Sequence, residues 1–107
     1  MKILMTGLGA CSGIAKGKAK IIRNLEKIEE IEEGSILVMP YFSPLCVIHL
    51  PKVKGILTEF GGKTCHGAII AREFNIPCIV SLNKATTKIK EDQEIYIDGK
   101  TGEIYEI

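Results

Sequence analysis

The chain has 107 residues, enough for one domain with a real hydrophobic core and too few for two. Hydrophobic residues make up 46% and charged residues 25%, a globular balance that excludes a disordered chain. The formal net charge is +1, so no overall field draws the chain to nucleic acid or to an anionic membrane.

The apolar runs Ile36–Met39, Cys46–Ile48 and Ile76–Val80 fall short of the ~18 residues that a spanning helix needs. Met1–Met5 has neither the length nor the cleavage pattern of a signal peptide. A cytoplasmic chain is therefore expected.

In chain order, Lys2–Thr6 predicts a strand broken by Gly7 and Gly9. Gly17–Ile22 alternates small or apolar residues with lysine and predicts a second strand, and the same alternation predicts that Lys16, Lys18 and Lys20 share one solvated face. Asn24–Glu33 is charged, with Leu25, Ile28 and Ile31 at helix-like intervals; periodicity leaves open a short helix or a surface loop with a strand fragment. Gly34-Ser35 is a turn before a buried strand, Ile36–Met39, which Pro40 ends. Ser43-Pro44 has the form of an N-cap followed by proline at the first position of a short helix, which must stop near Pro51. Gly55–Thr58 predicts another strand, leading to Gly61-Gly62.

The strongest helix signal follows. Thr64 is placed as its N-cap, Ile70 and Phe74 toward the core, and Arg72 and Glu73 toward solvent. Asn75 suits a left-handed C-cap and Pro77 prevents continuation. Cys78–Val80 is a short buried strand, and Glu94–Ile97 and Glu103–Ile107 are strands joined across a turn at Asp98–Gly102. The expectation is an α/β fold over residues 1–107: a single compact domain, a mixed sheet framework with few helices, and one parallel crossover from Ile56 through Val80.

The chemistry concentrates in Gly61-Gly62-Lys63-Thr64-Cys65-His66. A helix N-terminus leaves N–H groups unpaired and carries partial positive charge, which favours an anion. Preceding glycines let the backbone approach a ligand closely. An imidazole in that first turn is a nucleophile when neutral, and a phosphoryl group bound to it would lie near the helix N–H groups and the Thr64 hydroxyl. The bland alternative is a His66 that only caps or packs. A P-loop is a poor match because Leu57 stands where its first glycine is required. A Cys65 nucleophile with His66 as its base is a poor arrangement because adjacent helical residues point in different directions. The four cysteines, Cys11, Cys46, Cys65 and Cys78, are read as reduced. A zinc site from Cys46, His49, Cys65 and His66 matches no ligand spacing, so no metal is predicted.

Gly61 through Arg72, followed by Asn75-Ile76-Pro77, resembles the signature of the phosphohistidine, or swivelling, domain of the phosphoenolpyruvate-utilising enzymes: Gly-Gly-x-Thr-Ser/Cys-His-Ala-Ala-Ile-x-Ala-Arg, then Gly-Ile-Pro. Gly9–Ala19, Ile36–Pro40 with Ser43-Pro44, and Glu94–Tyr105 are also similar to that family. The resemblance implies a swivelling β/β/α fold in which His66 takes a phosphoryl group from one active site to another. It implies that Thr64 hydrogen-bonds the imidazole or the phosphate, and that Gly61, Gly62, Cys65, Gly67 and Arg72 shape the phosphate-binding loop. Gly67 stands where the family usually has alanine, which weakens the first helical turn by up to ~1 kcal/mol, and Cys11-Ser12 replaces the usual Ser-Pro. No cofactor is expected in this chain; magnesium and nucleotide or phosphoenolpyruvate are expected on nucleotide-binding and phosphoenolpyruvate/pyruvate-binding domains acting in trans. The expected function is a phosphocarrier domain or subunit of a split phosphotransferase, inactive without those partners. The alternative is a non-catalytic regulatory or protein-binding module of the same fold.

Overall fold

A computed structural model describes all residues from Met1 to Ile107. It contains β1 (Lys2–Thr6), β2 (Leu8–Cys11), β3 (Ile14–Ile21), β4 (Ser35–Met39), β5 (Val53–Thr58), helix α1 (His66–Phe74), β6 (Cys78–Val80), a single-turn helix α2 (Ala85–Lys88), β7 (Glu94–Asp98) and β8 (Glu103–Glu106). Two 3₁₀ helices, Leu25–Glu30 and Pro44–Lys52, connect β3 to β4 and β4 to β5. Asn24 Oδ1 accepts the Glu26 N–H, so the charged segment left open by periodicity is a capped 3₁₀ helix. Ser43 caps the second one, with Pro44 at its start, as the Ser-Pro pair predicts.

One eight-stranded sheet runs in the order β1-β8-β7-β3-β4-β5-β6-β2. Strands β3, β4, β5 and β6 are mutually parallel and the remaining pairings are antiparallel. The expected crossover, β5–α1–β6, is present, and the two 3₁₀ connections create two further parallel pairs. These the sequence did not announce, because short 3₁₀ segments lack a 3.6-residue stripe.

Every residue of β4 is buried. Its alternation sends Leu37 and Met39 into one core, with Ile56, Cys78, Val80, Cys46, Leu50, Ala68 and Ala71. It sends Ile36 and Val38 into a second core, with Leu57, Ile79, Leu82, Ala85, Ile89, Ile95, Ile97 and Ile104. Helix α1 thus covers one face of the parallel strands and α2 the other. The carboxyl ends of β4 and β5 lie side by side, with Met39 opposite Thr58.

Three expectations change. Gly9 does not break the chain: it lies within β2 opposite Ile79, and a Cβ there would stand 2.4 Å from the Gly99 carbonyl oxygen. The glycine marks a close backbone approach rather than a turn. Lys20 is not solvated like Lys16 and Lys18; it is buried, because Glu91 closes over the end of β3 with Lys20 Nζ 2.9 Å from its Oε2. Phe74 is 45% exposed rather than core-facing. The buried stripe of α1 is Gly67, Ala68 and Ala71, and Ile76, beyond the left-handed Asn75, turns inward instead.

Candidate functional site

The site grows from the carboxyl ends of β4 and β5. Their pairing continues past both strands: Glu59 N–H donates to Met39 O and Phe60 N–H to Pro40 O. This holds Tyr41 and Phe42 beside the loop that carries Gly61-Gly62. Gly61 has φ 121°, a left-handed conformation that favours glycine, and a Cβ there would meet Cys65 Sγ at 2.8 Å. The Cys65 N–H then donates to Gly62 O, and Ile69 N–H to Cys65 O begins α1.

That turn makes Cys65, with φ −69° and ψ 164°, the N-cap. Thr64, expected to cap, lies one residue outside the helix, because the Gly62–Cys65 turn closes after it. Its hydroxyl bonds neither a backbone N–H nor His66, and no side chain caps α1. The His66, Gly67 and Ala68 N–H groups therefore have no partner within the chain and mark the positive end of the helix dipole.

His66 is the first residue of α1 and is exposed, as predicted. Its imidazole makes no hydrogen bond to the protein; the ring stacks on Phe42 with centroids 5.7 Å apart and planes at 19°. Arg72 reaches back from the far end of α1. Its Nε donates to Ala10 O at 3.0 Å and an Nη to Lys63 O. The guanidinium thus ties the loop, the helix and β2 together. Gly62 and Thr64 are exposed, Cys65 half-buried and Gly67 buried.

No three His, Cys, Asp or Glu side chains converge as metal ligands, including Cys46, His49, Cys65 and His66. His49 Nε2 instead lies 3.9 Å from Glu29 Oε1. Burial pushes the thiol pKa of Cys46 up to about 11 and, with the neighbouring Cys65 and Cys11, that of Cys78 up to about 12, which makes both poor nucleophiles.

Sequence reasoning missed the aromatic residue against His66. Phe42 stacks on its ring, and the exposed Tyr41 and Phe60 stack on each other at 5.0 Å. The available signal was position: Tyr41 and Phe42 follow a buried parallel strand, at the carboxyl end of the sheet where α/β folds bind ligands.

Residues 31–102 match the family model described as "PEP-utilising enzyme, mobile domain". The chain belongs to this family, the phosphohistidine mobile domain of the phosphoenolpyruvate-utilising enzymes. A probable phosphoenolpyruvate synthase of Methanothermobacter thermautotrophicus is 45% identical over 105 residues, which are 98% of this chain and 15% of that protein. This mobile domain therefore spans about 15% of the length of that relative. A solution structure of Enzyme I matches 74% of the chain and 33% of its own, with TM-score 0.63 and 28% identity. Aconitase X of Thermococcus kodakaraensis shares the fold alone: TM-score 0.73 at 17% identity, over 96% of this chain and 97% of that one.

Proposed function

We propose that this mobile domain accepts a phosphoryl group on His66 and passes it between active sites supplied in trans by nucleotide-binding and phosphoenolpyruvate/pyruvate-binding domains or subunits of a split cytoplasmic phosphotransferase. The observation that carries the reading is an exposed imidazole, without a hydrogen bond, at the N-terminus of α1 inside the family signature. An imidazole nitrogen attacks phosphorus in line, the bond from phosphorus to the donor's leaving oxygen breaks, and the other ring nitrogen releases its proton. Thr64 Oγ1 and the unpaired N–H groups of the first turn would serve as donors to the phosphate oxygens. Gly61 and Gly62 keep side chains out of the approach, Cys65 and Gly67 shape the first turn, and Arg72 braces the loop. Magnesium and nucleotide or phosphoenolpyruvate belong, in this reading, to the partners.

The test is incubation with a phosphoenolpyruvate- or ATP-charged family partner, followed by assay for acid-labile, base-stable label. His66→Ala should abolish the label and Cys65→Ser should keep it. Label persisting in His66→Ala, or none in the wild type with its cognate partner, replaces this reading with the binding module.

A further inference from the structure

We infer that Phe42 is a positioning residue for His66: it holds the imidazole by its face and leaves both ring nitrogens free to react. The inference rests on the carrier reading and adds a residue from outside the glycine-rich stretch.

An exposed histidine ordinarily samples several side-chain rotamers. The usual way to fix one is a hydrogen bond at a ring nitrogen, which commits that nitrogen. Here the nearly parallel rings, 5.7 Å apart, are within stacking range, and no hydrogen bond competes. The plane of the nucleophile is set while its lone pair stays uncommitted. A carrier needs this combination, because it must present one ring in line to a donor and then to an acceptor.

Phe42 is a suitable anchor because it is itself fixed. It is only 8% exposed and belongs to the core beneath α1. Pro40, whose carbonyl accepts the Phe60 N–H, precedes it, and the Ser43 cap follows it. Gly67 supplies an independent observation from a different element. A Cβ at that position would stand 2.9 Å from Phe42 Cβ and 3.7 Å from Thr58 Cγ2. The missing side chain in the first turn of α1 is what lets the Cα–Cβ stem of Phe42 come this close to the helix, which brings its ring against His66. The glycine that weakens the helix therefore has a structural role at the site.

The experiment combines NMR of the full chain with two phosphoryl donors. Stacking on Phe42 should displace His66 ring-proton resonances upfield in the wild type and in Phe42→Tyr, and the displacement should collapse in Phe42→Leu and Gly67→Ala. Transfer from a charged family partner should slow about tenfold in Phe42→Leu and recover in Phe42→Tyr, because misorientation of a reacting group costs rate without removing it. Phosphoramidate, a small donor that loses ammonia as the imidazole takes its phosphoryl group, should label wild type and Phe42→Leu equally. Unchanged His66 resonances in Phe42→Leu, or partner transfer at the wild-type rate, overturn the inference. Wild-type protein that shows the displacement but accepts nothing from its cognate partner supports the Phe42 contact and overturns the carrier reading instead.

Discussion

Two opposing effects meet at Gly67. Glycine within α1 costs up to ~1 kcal/mol of helix propensity relative to alanine. An alanine there would force its Cβ to 2.9 Å from Phe42 Cβ, an atom too close to the backbone to swing away, and overpacking of that kind costs about 1–3 kcal/mol. The clash should win: Gly67→Ala is expected to lower stability by about 1 kcal/mol. In a Phe42→Gly background the Cβ that obstructs is gone and only propensity remains, so the same substitution should raise stability by up to ~1 kcal/mol. Urea denaturation of the four proteins in this double-mutant cycle measures the reversal. A Gly67→Ala effect of the same sign in both backgrounds would show that the two residues do not compete for space.

At the scale of elements, α1 is held at both ends by groups outside its own ladder. At its carboxyl end Asn75 has φ 54° and ψ 45°, and Ile76 N–H donates to Ala71 O at 2.9 Å in a Schellman closure. At its amino end there is no side-chain cap; Arg72 grips Lys63 O and Ala10 O instead. The long guanidinium does from the last turn what a capping hydroxyl does locally: it fixes the approach of the loop to the helix. Arg72→Met is expected to keep the apolar stem of the side chain and lose both carbonyl bonds, at a cost of about 1–2 kcal/mol. Amide exchange should accelerate in residues 61–65 and at the start of β2 while β4 and β5 stay protected. Uniform acceleration across the sheet would mean that Arg72 supports the whole fold rather than this loop.

At the scale of the molecule, β1 and β2 occupy opposite ends of the strand order yet are separated in sequence only by Gly7, whose N–H donates to Gly102 O. The sheet must therefore curl until its ends meet, which explains the tight contacts of Gly9 and Gly99 with facing backbone. The other long-range tie is Lys20–Glu91, joining β3 to the segment before β7. The hydrogen bond to Glu91 outweighs burial and holds the Lys20 pKa above its ordinary value of 10.5. Burial disfavours the Glu91 carboxylate, but the Ile21 N–H and the Lys20 ammonium together hold its pKa below 4.5. A lowered carboxyl pKa contributes stability that is present above pH 4.5 and lost as pH falls through the folded value. The raised lysine contributes stability present below pH 10.5 and lost as pH rises through its folded value. Because the Glu91 side chain is 40% exposed, the pair belongs near the surface end of the range, and Glu91→Gln should cost about 1 kcal/mol at pH 7. Melting temperatures at pH 7 and pH 3 should fall further for the wild type than for Glu91→Gln. Parallel declines would show that the pair contributes nothing to acid stability.

The sequence by itself determined the elements whose signals are local. Alternating or continuous apolar runs mark β4, β6, β7 and β8, Ser43-Pro44 opens a 3₁₀ helix, and Asn75 before Pro77 ends α1. It also singled out Gly61, Gly62 and His66, because glycines before a helix and a histidine at its mouth are a pattern in consecutive residues. Only the tertiary structure decided what lies beneath the imidazole. Phe42 and His66 are brought together by the β4–β5 pairing, and no local period relates them. The same holds for Arg72 on Ala10 O, for Glu91 over Lys20, and for Thr64, which lost the N-cap to Cys65 when the Gly62–Cys65 turn closed. Local steric and capping preferences act within a few residues and can be read along the chain. Which side chain fills the space next to a given residue depends on strand register and sheet curvature, which are set by the packing of the whole core.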